Sequence, residues 1–60
     1  MTEIKIIHGG EIIGTVRRFR RLGTTWHRAV VQLGSVSYAE DFHDHATARQ
    51  FVFWRRGITS

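Results

Sequence analysis

The sequence predicts an α+β fold: a small antiparallel sheet of three to four strands with one C-terminal helix packed on one face. Two observations lead to this. Four segments alternate apolar and polar residues or are rich in β-branched residues, and glycine-containing turns separate them. The end of the chain instead places apolar residues at three-and-four spacing. We expect one domain over residues 1–60, with strands over about 3–8, 11–20, 25–33 and 36–42 and a helix over about 45–56.

The first two strands are predicted from their alternation and from the turn between them. Ile4 and Ile6 alternate with charged residues, which is typical of a half-buried strand. Gly9 and Gly10 follow, and they predict a tight hairpin turn because such a turn needs positive φ values. The second strand carries apolar residues on both faces, so its pattern does not decide which face meets the core. Gly14 within it predicts a bulge or a close approach by another backbone.

The third strand is expected to be central, because its two faces differ most clearly. One face is small and apolar and suits a helix, whereas the other mixes an aromatic ring, a guanidinium and an amide and suits a contact surface. The inner set is His27, Ala29, Val31 and Leu33, and the outer set is Trp26, Arg28, Val30 and Gln32.

The fourth strand follows a short turn at residues 34–35. Because Ala39 is small, we expect it to lie beneath the helix. That orientation turns Tyr38 toward the outer face, beside Trp26 and Arg28.

The helix has both end signals. Asp44 is a good N-cap, since its carboxylate can accept free backbone N–H groups of the first turn. Gly57 is a typical C-terminal stop. The stripe expected to face the sheet consists of Ala48, Phe51, Val52 and the stem of Arg55.

Phe53 and Trp54 lie off this apolar stripe. Either Phe53 packs on the N-terminal strand and Trp54 folds over the sheet edge, or the two form a dimer seam or a contact with a partner protein.

Composition narrows the function classes. The formal net charge is +4, and eight of the nine basic residues are arginine, whose flat, forked donor grips phosphate. This favours a nucleic-acid partner, although a soluble basic surface is the plain alternative. There is no cysteine, so no disulfide can compensate for the small core of this chain. A dense aromatic core or self-association must do so instead, and a homodimer is one alternative.

Several classes are not expected. No apolar run approaches the roughly 20 residues that span a bilayer, and the N-terminus lacks a signal peptide's apolar stretch, so we expect a cytoplasmic protein without a membrane partner. The serines lack a glycine-flanked elbow, so we expect no enzyme, no catalytic residues and no cofactor. His43 and His45 flank Asp44, but the capping role explains that segment and no metal site is expected.

Arginines interleaved with aromatic residues give the strongest functional pattern. An exposed sheet face can enter the DNA major groove, with arginines on guanine or phosphate and glutamine on adenine. The same groups could stack on unpaired bases of RNA or single-stranded DNA. Alternatively, Trp26 and Tyr38 are cross-strand partners with arginines over their rings. The candidate nucleic-acid-binding residues are Arg17, Arg18, Arg20, Arg21, Trp26, Arg28, Gln32 and Tyr38.

Residues 11–56 read as a basic first strand, a second strand opened by tryptophan, a short third strand and a helix. Residues 26–31 and 42–48, Trp-His-Arg-Ala-Val-Val and Phe-His-Asp-His-Ala-Thr-Ala, carry this pattern. It resembles the plant AP2-type DNA-binding domain and the arm-binding domains of phage and transposon integrases. The resemblance implies a three-stranded sheet laid in the major groove with the helix behind it. The strand at residues 3–8 departs from that pattern.

We therefore expect a small basic DNA-binding protein of a phage or mobile element, with DNA preferred over RNA. The alternative is a protein-interaction module or phage-encoded inhibitor that acts as a homodimer through Phe53, Trp54 or a sheet edge.

Overall fold

The computed structural model describes residues 2–58 and contains a four-stranded antiparallel sheet with one helix against one face. The elements are β1 (Thr2–His8), β2 (Glu11–Arg21), β3 (Thr24–Leu33), β4 (Val36–Phe42) and α1 (His45–Arg55). The strands lie side by side in sequence order, β1-β2-β3-β4. The predicted α+β class is confirmed, and each expected boundary lies within one residue of the observed one.

Short turns produce this order, because a hairpin places each strand next to the one before it. Gly9 and Gly10 have φ values of 61° and 77°, as the hairpin prediction required. Leu22 and Gly23, between β2 and β3, have φ values of 51° and 79°. Two left-handed central residues are the mark of a type I′ turn, whose twist matches that of the strands. The left-handed conformation costs a leucine roughly 1–2 kcal/mol.

The core lies between α1 and the inner face of β2 and β3. It consists of Ile6, Ile13, Val16, Ala29, Val31, Ala48 and Val52. Ala29 and Val31 of β3 and Ala48 and Val52 of α1 have no exposed surface. The predicted inner face of β3 and the predicted stripe of α1 are therefore confirmed. Burial of each valine stabilises the fold by about 1.5–3 kcal/mol.

At Gly14 the sheet and α1 approach each other closely. Ile6 pairs with Gly14 and Ile7 pairs with Ile12, so Ile13 is the extra residue of a bulge. A β-carbon at Gly14 would lie 2.7 Å from the Val30 carbonyl oxygen and 2.7 Å from Val52 Cγ1. Both structural roles predicted for Gly14, the bulge and the close approach, are confirmed.

The ends of α1 are capped as predicted. The Thr47 backbone N–H donates to Asp44 Oδ2 over 3.1 Å. At the other end Gly57 has a φ of 77°, and its N–H donates to the Trp54 carbonyl while the Ile58 N–H donates to the Phe53 carbonyl. This is the Schellman arrangement.

The expected orientation of β4 is wrong. Tyr38 pairs with Val31 and so lies on the inner face, whereas Ala39 pairs with Val30 on the outer face. A small residue is not needed beneath α1 at this point, because α1 contacts β4 through the long side chain of Arg55. The Arg55 guanidinium lies 4.0 Å from the centroid of the Tyr38 ring.

Phe53 packs on the N-terminal strand, as the first of the two alternatives predicted. Its ring meets His8 edge-on, with centroids 5.8 Å apart, and the Arg49 guanidinium lies over it at 5.4 Å. Trp54 is instead 67% exposed, so the first alternative holds for Phe53 but not for Trp54.

The contact at Gly14 gives the first testable prediction. Gly14→Ala should lower the free energy of unfolding by about 1–3 kcal/mol, because the added methyl group overpacks against Val52 and the β3 backbone. Urea denaturation followed by tryptophan fluorescence measures it. Thr15→Ala, on the outer face, is the control and should change stability by less than about 1 kcal/mol. Equal stability of the Gly14→Ala variant and the unmodified chain would contradict this packing.

Candidate nucleic-acid interface

The hairpin formed by β2 and β3 extends beyond its neighbours. Pairing of β1 with β2 ends at Thr2 opposite Arg18, and pairing of β4 with β3 ends at Phe42 opposite His27. Within residues 2–58, the last three pairs of β2 and β3 thus have no third strand beside them. We call residues 19–26 the arm. At about 3.3 Å per residue, its three pairs alone reach about 10 Å beyond the four-stranded part, and the turn lies beyond them.

The arginines of β2 are divided between the two faces of the ribbon. Val16 lies on the inner face, so alternation places Arg18 and Arg20 on that face and Arg17 and Arg21 on the outer face. The predicted cluster is therefore not one patch. It surrounds a ribbon that carries five arginines and no acidic residue over residues 17–28.

Two arginines on the outer face already have carboxylate partners. Arg17 Nη2 lies 2.9 Å from Glu3 Oε1. Arg28 donates from Nε to Asp41 Oδ1 over 2.8 Å and from Nη2 to Asp41 Oδ2 over 3.3 Å. Both pairs join neighbouring strands within the four-stranded part of the sheet.

The other three arginines of residues 17–28 form no ion pair among the described residues. Arg18 Nη2 donates to the Thr2 hydroxyl over 3.4 Å, and Arg20 Nη2 donates to the Gly23 carbonyl over 3.3 Å. The Arg21 guanidinium lies 5.5 Å from the centroid of the Phe19 ring. All three side chains are exposed to solvent. The charge of Arg21 also helps to lower the pKa of Asp41, although the two groups form no ion pair.

An aromatic cluster supports the base of the arm on its outer face. Trp26 lies there as predicted, opposite Phe19, and its ring stacks on His43 with centroids 3.9 Å apart and a tilt of 34°. The Arg28 guanidinium lies 4.9 Å from the Phe19 ring centroid. One side of Trp26 is therefore covered by His43.

Gln32 and Tyr38 do not join the arm. Gln32 is on the outer face but lies six residues along β3 from Trp26, about 20 Å away. Its side-chain amide donates to the Gly34 carbonyl over 3.4 Å. Tyr38 lies on the opposite face beneath Arg55.

The sequence patterns did not predict that Asp41 neutralises Arg28. They also did not predict that His43 covers one side of Trp26. No motif marks either residue, because each acts on a neighbouring strand whose register the sequence does not show. The hydrogen bond from Arg28 holds the pKa of Asp41 below its ordinary value, against the opposing effect of burial. The same hydrogen bond raises the pKa of Arg28.

His27 and His45 form a second, smaller cluster on the inner face. Their ring centroids are 5.6 Å apart, and His27 Nδ1 is buried without a hydrogen-bond partner among the described residues. Across residues 2–58, no three His, Cys, Asp or Glu side chains gather as metal ligands would. Within residues 2–58, the helix α1 is too short and too polar to cross a membrane.

No family model matches this chain, and comparison with curated proteins and with solved structures found no match. The geometry of the arm is therefore the basis for a functional proposal.

The Arg28–Asp41 pair gives the second prediction. The folded-state pKa of Asp41 is depressed, so the pair stabilises the fold above the unfolded pKa of about 3.9, and this contribution is lost as pH falls through the folded pKa. Asp41→Asn should therefore lower stability at neutral pH, and the difference should vanish in acid. Urea denaturation across that pH range measures both.

The control for this prediction is Glu40→Gln, which removes a carboxylate that forms no ion pair within residues 2–58. It should show a smaller loss at neutral pH. A stability gap between Asp41→Asn and the unmodified chain that is the same at neutral and acidic pH would contradict the pairing.

Proposed function

We propose that this protein binds duplex DNA through the arm. The observation that carries the proposal is a set of three arginines that form no ion pair within residues 2–58. Arg20 and Arg21 lie on the two faces of the arm, and Arg18 lies beside its base on the inner face. A basic, projecting element of this kind is an electrostatic footprint for nucleic acid.

The two-faced arrangement favours a groove over a flat anionic surface. A flat surface can meet only one face of a ribbon, so it would leave either Arg20 on the inner face or Arg21 on the outer face without a partner. A groove has phosphates along both walls. A ribbon whose tip enters the groove can therefore place arginines of both faces near phosphates at once.

Duplex DNA fits the arm better than RNA or single strands. The deep, narrow major groove of A-form RNA is closed to side chains. In B-form DNA the major groove admits a two-stranded ribbon, and the minor groove admits side chains at a tip. Binding of unpaired bases relies on open aromatic rings, whereas Trp26 is stacked on His43 and Tyr38 lies under Arg55.

The resemblance to AP2-type and integrase domains implies docking by the whole outer face of the sheet. On that face Arg17 and Arg28 are paired with Glu3 and Asp41. Both carboxylates would have to approach DNA phosphates in such a complex, which is electrostatically unfavourable. We therefore assign the phosphate contacts to the arm, and we assign Trp26 and Arg28 to its support.

Salt dependence gives the third prediction. Three arginine–phosphate contacts should give a slope of about −3 in a plot of log K against log salt concentration. Arg20→Ala and Arg21→Ala should each flatten the slope by about one, because each removes one phosphate contact. Fluorescence anisotropy with a labelled duplex at several salt concentrations measures this.

The matched control is Arg56→Ala. It removes the same charge from the opposite end of the molecule, where Arg56 lies 3.4 Å from Glu11. The control should leave the slope unchanged. Affinity that is independent of salt, or equal effects of all three substitutions, would contradict the proposal.

The second candidate function is a protein-interaction module that forms a homodimer. The observation that favours it is Trp54, which is 67% exposed on α1 and lies beside Phe51, with ring centroids 6.1 Å apart. An exposed tryptophan is a common anchor of protein contacts.

Solution mass distinguishes this candidate and forms the fourth prediction. If Trp54 anchors a dimer, sedimentation should give twice the chain mass, and Trp54→Ser should give a monomer. Trp54 is a better test position than Phe53, which packs on His8 within the fold. A monomeric unmodified chain would eliminate the dimer.

A further inference from the structure

We infer that Leu22, at the tip of the arm, is an apolar wedge that enters a base-pair step of duplex DNA from the minor groove and kinks it. The inference rests on the proposed function and specifies how the arm meets DNA.

The first argument is that Leu22 is disfavoured where it stands in the free protein. Its side chain is 98% exposed, and it is the only non-glycine residue with a positive φ, 51°, within residues 2–58. The first central position of a type I′ turn favours asparagine, aspartate or glycine. The turn between β1 and β2 has glycine at the same position, Gly9. The unbound fold thus gains nothing from a leucine here.

The second argument is the surroundings of Leu22. Arg20 and Arg21 directly precede it, one on each face of the ribbon. Arg20 also donates to the Gly23 carbonyl, which holds that arginine close to the turn. Proteins that enter the minor groove place arginines along it and insert leucine or similar apolar side chains between base pairs. An exposed leucine at the tip, with one arginine on each face of the ribbon behind it, has the chemistry of such a wedge.

The third argument is size. Two paired backbones about 4.8 Å apart, with their side chains, are wider than the minor groove of about 6 Å. Only side chains at the turn can therefore enter it, and a kink toward the major groove opens the minor groove further. Flexible pyrimidine–purine steps are the expected positions, because they unstack most easily.

The test uses Leu22→Asn and Leu22→Phe in the full chain. Asparagine suits the turn, so Leu22→Asn should fold with equal or greater stability in urea. Its affinity for a duplex with a central TA step should fall about tenfold to hundredfold, since burial of the leucine side chain is lost. Fluorescence energy transfer between the duplex ends should report a bend with the unmodified chain and with Leu22→Phe, but not with Leu22→Asn.

The salt slope separates this inference from the proposed function. Leu22→Asn keeps every arginine, so its slope should equal that of the unmodified chain. Val36→Thr is the control, because Val36 is another exposed apolar residue, 50% exposed, at the start of β4 and at the end of the sheet opposite the arm. It should change neither affinity nor bend.

Two results would overturn the wedge. If Leu22→Asn binds and bends DNA as the unmodified chain does, Leu22 is not a wedge, although the arm still binds DNA. If the unmodified chain shows no salt-dependent binding of duplex DNA, the proposed function fails and the wedge fails with it.

Discussion

The contact between one helix and the centre of the sheet determines the rest of this structure. Gly14, Ala29 and Ala48 keep the two layers close, and Val52 fills the space between them. A helix with its side chains is about 10–12 Å wide, whereas β2 alone, with 11 residues, is about 36 Å long. One helix therefore covers only the middle of one face, and both the outer face and the arm stay uncovered.

The distribution of charge follows from the same geometry. Where the sheet is four strands wide, a neighbouring strand supplies a carboxylate to each arginine of the outer face, Glu3 to Arg17 and Asp41 to Arg28. Where only β2 and β3 remain, no third strand lies beside Arg20 and Arg21 within residues 2–58, and neither arginine forms an ion pair there. The unneutralised charge of the arm is thus a consequence of topology, and it is the physical basis of the proposed DNA contact.

Patterns in the sequence predicted the structural features that depend on residues close together in the chain. The caps of α1, the inner face of β3 and the role of Gly14 follow from periodicity and backbone preference. The prediction for Tyr38 is wrong because the small size of Ala39 does not decide which residues of β4 face inward, whereas the pairing of Tyr38 with Val31 does. The roles of Asp41 and His43 likewise depend on strand register, which no spacing in the chain reveals.

Amide chemical shifts of the isotope-labelled protein, followed during titration with a short duplex at low salt, test the central claim most directly. The arm and the adjoining Arg18 should show the largest changes, over residues 18–26, while the turn at residues 34–35 and the C-terminal end of α1 keep their shifts. Changes centred on Val30 and Gln32 in the middle of the outer face, or on Trp54, with an unaffected arm, would contradict the account.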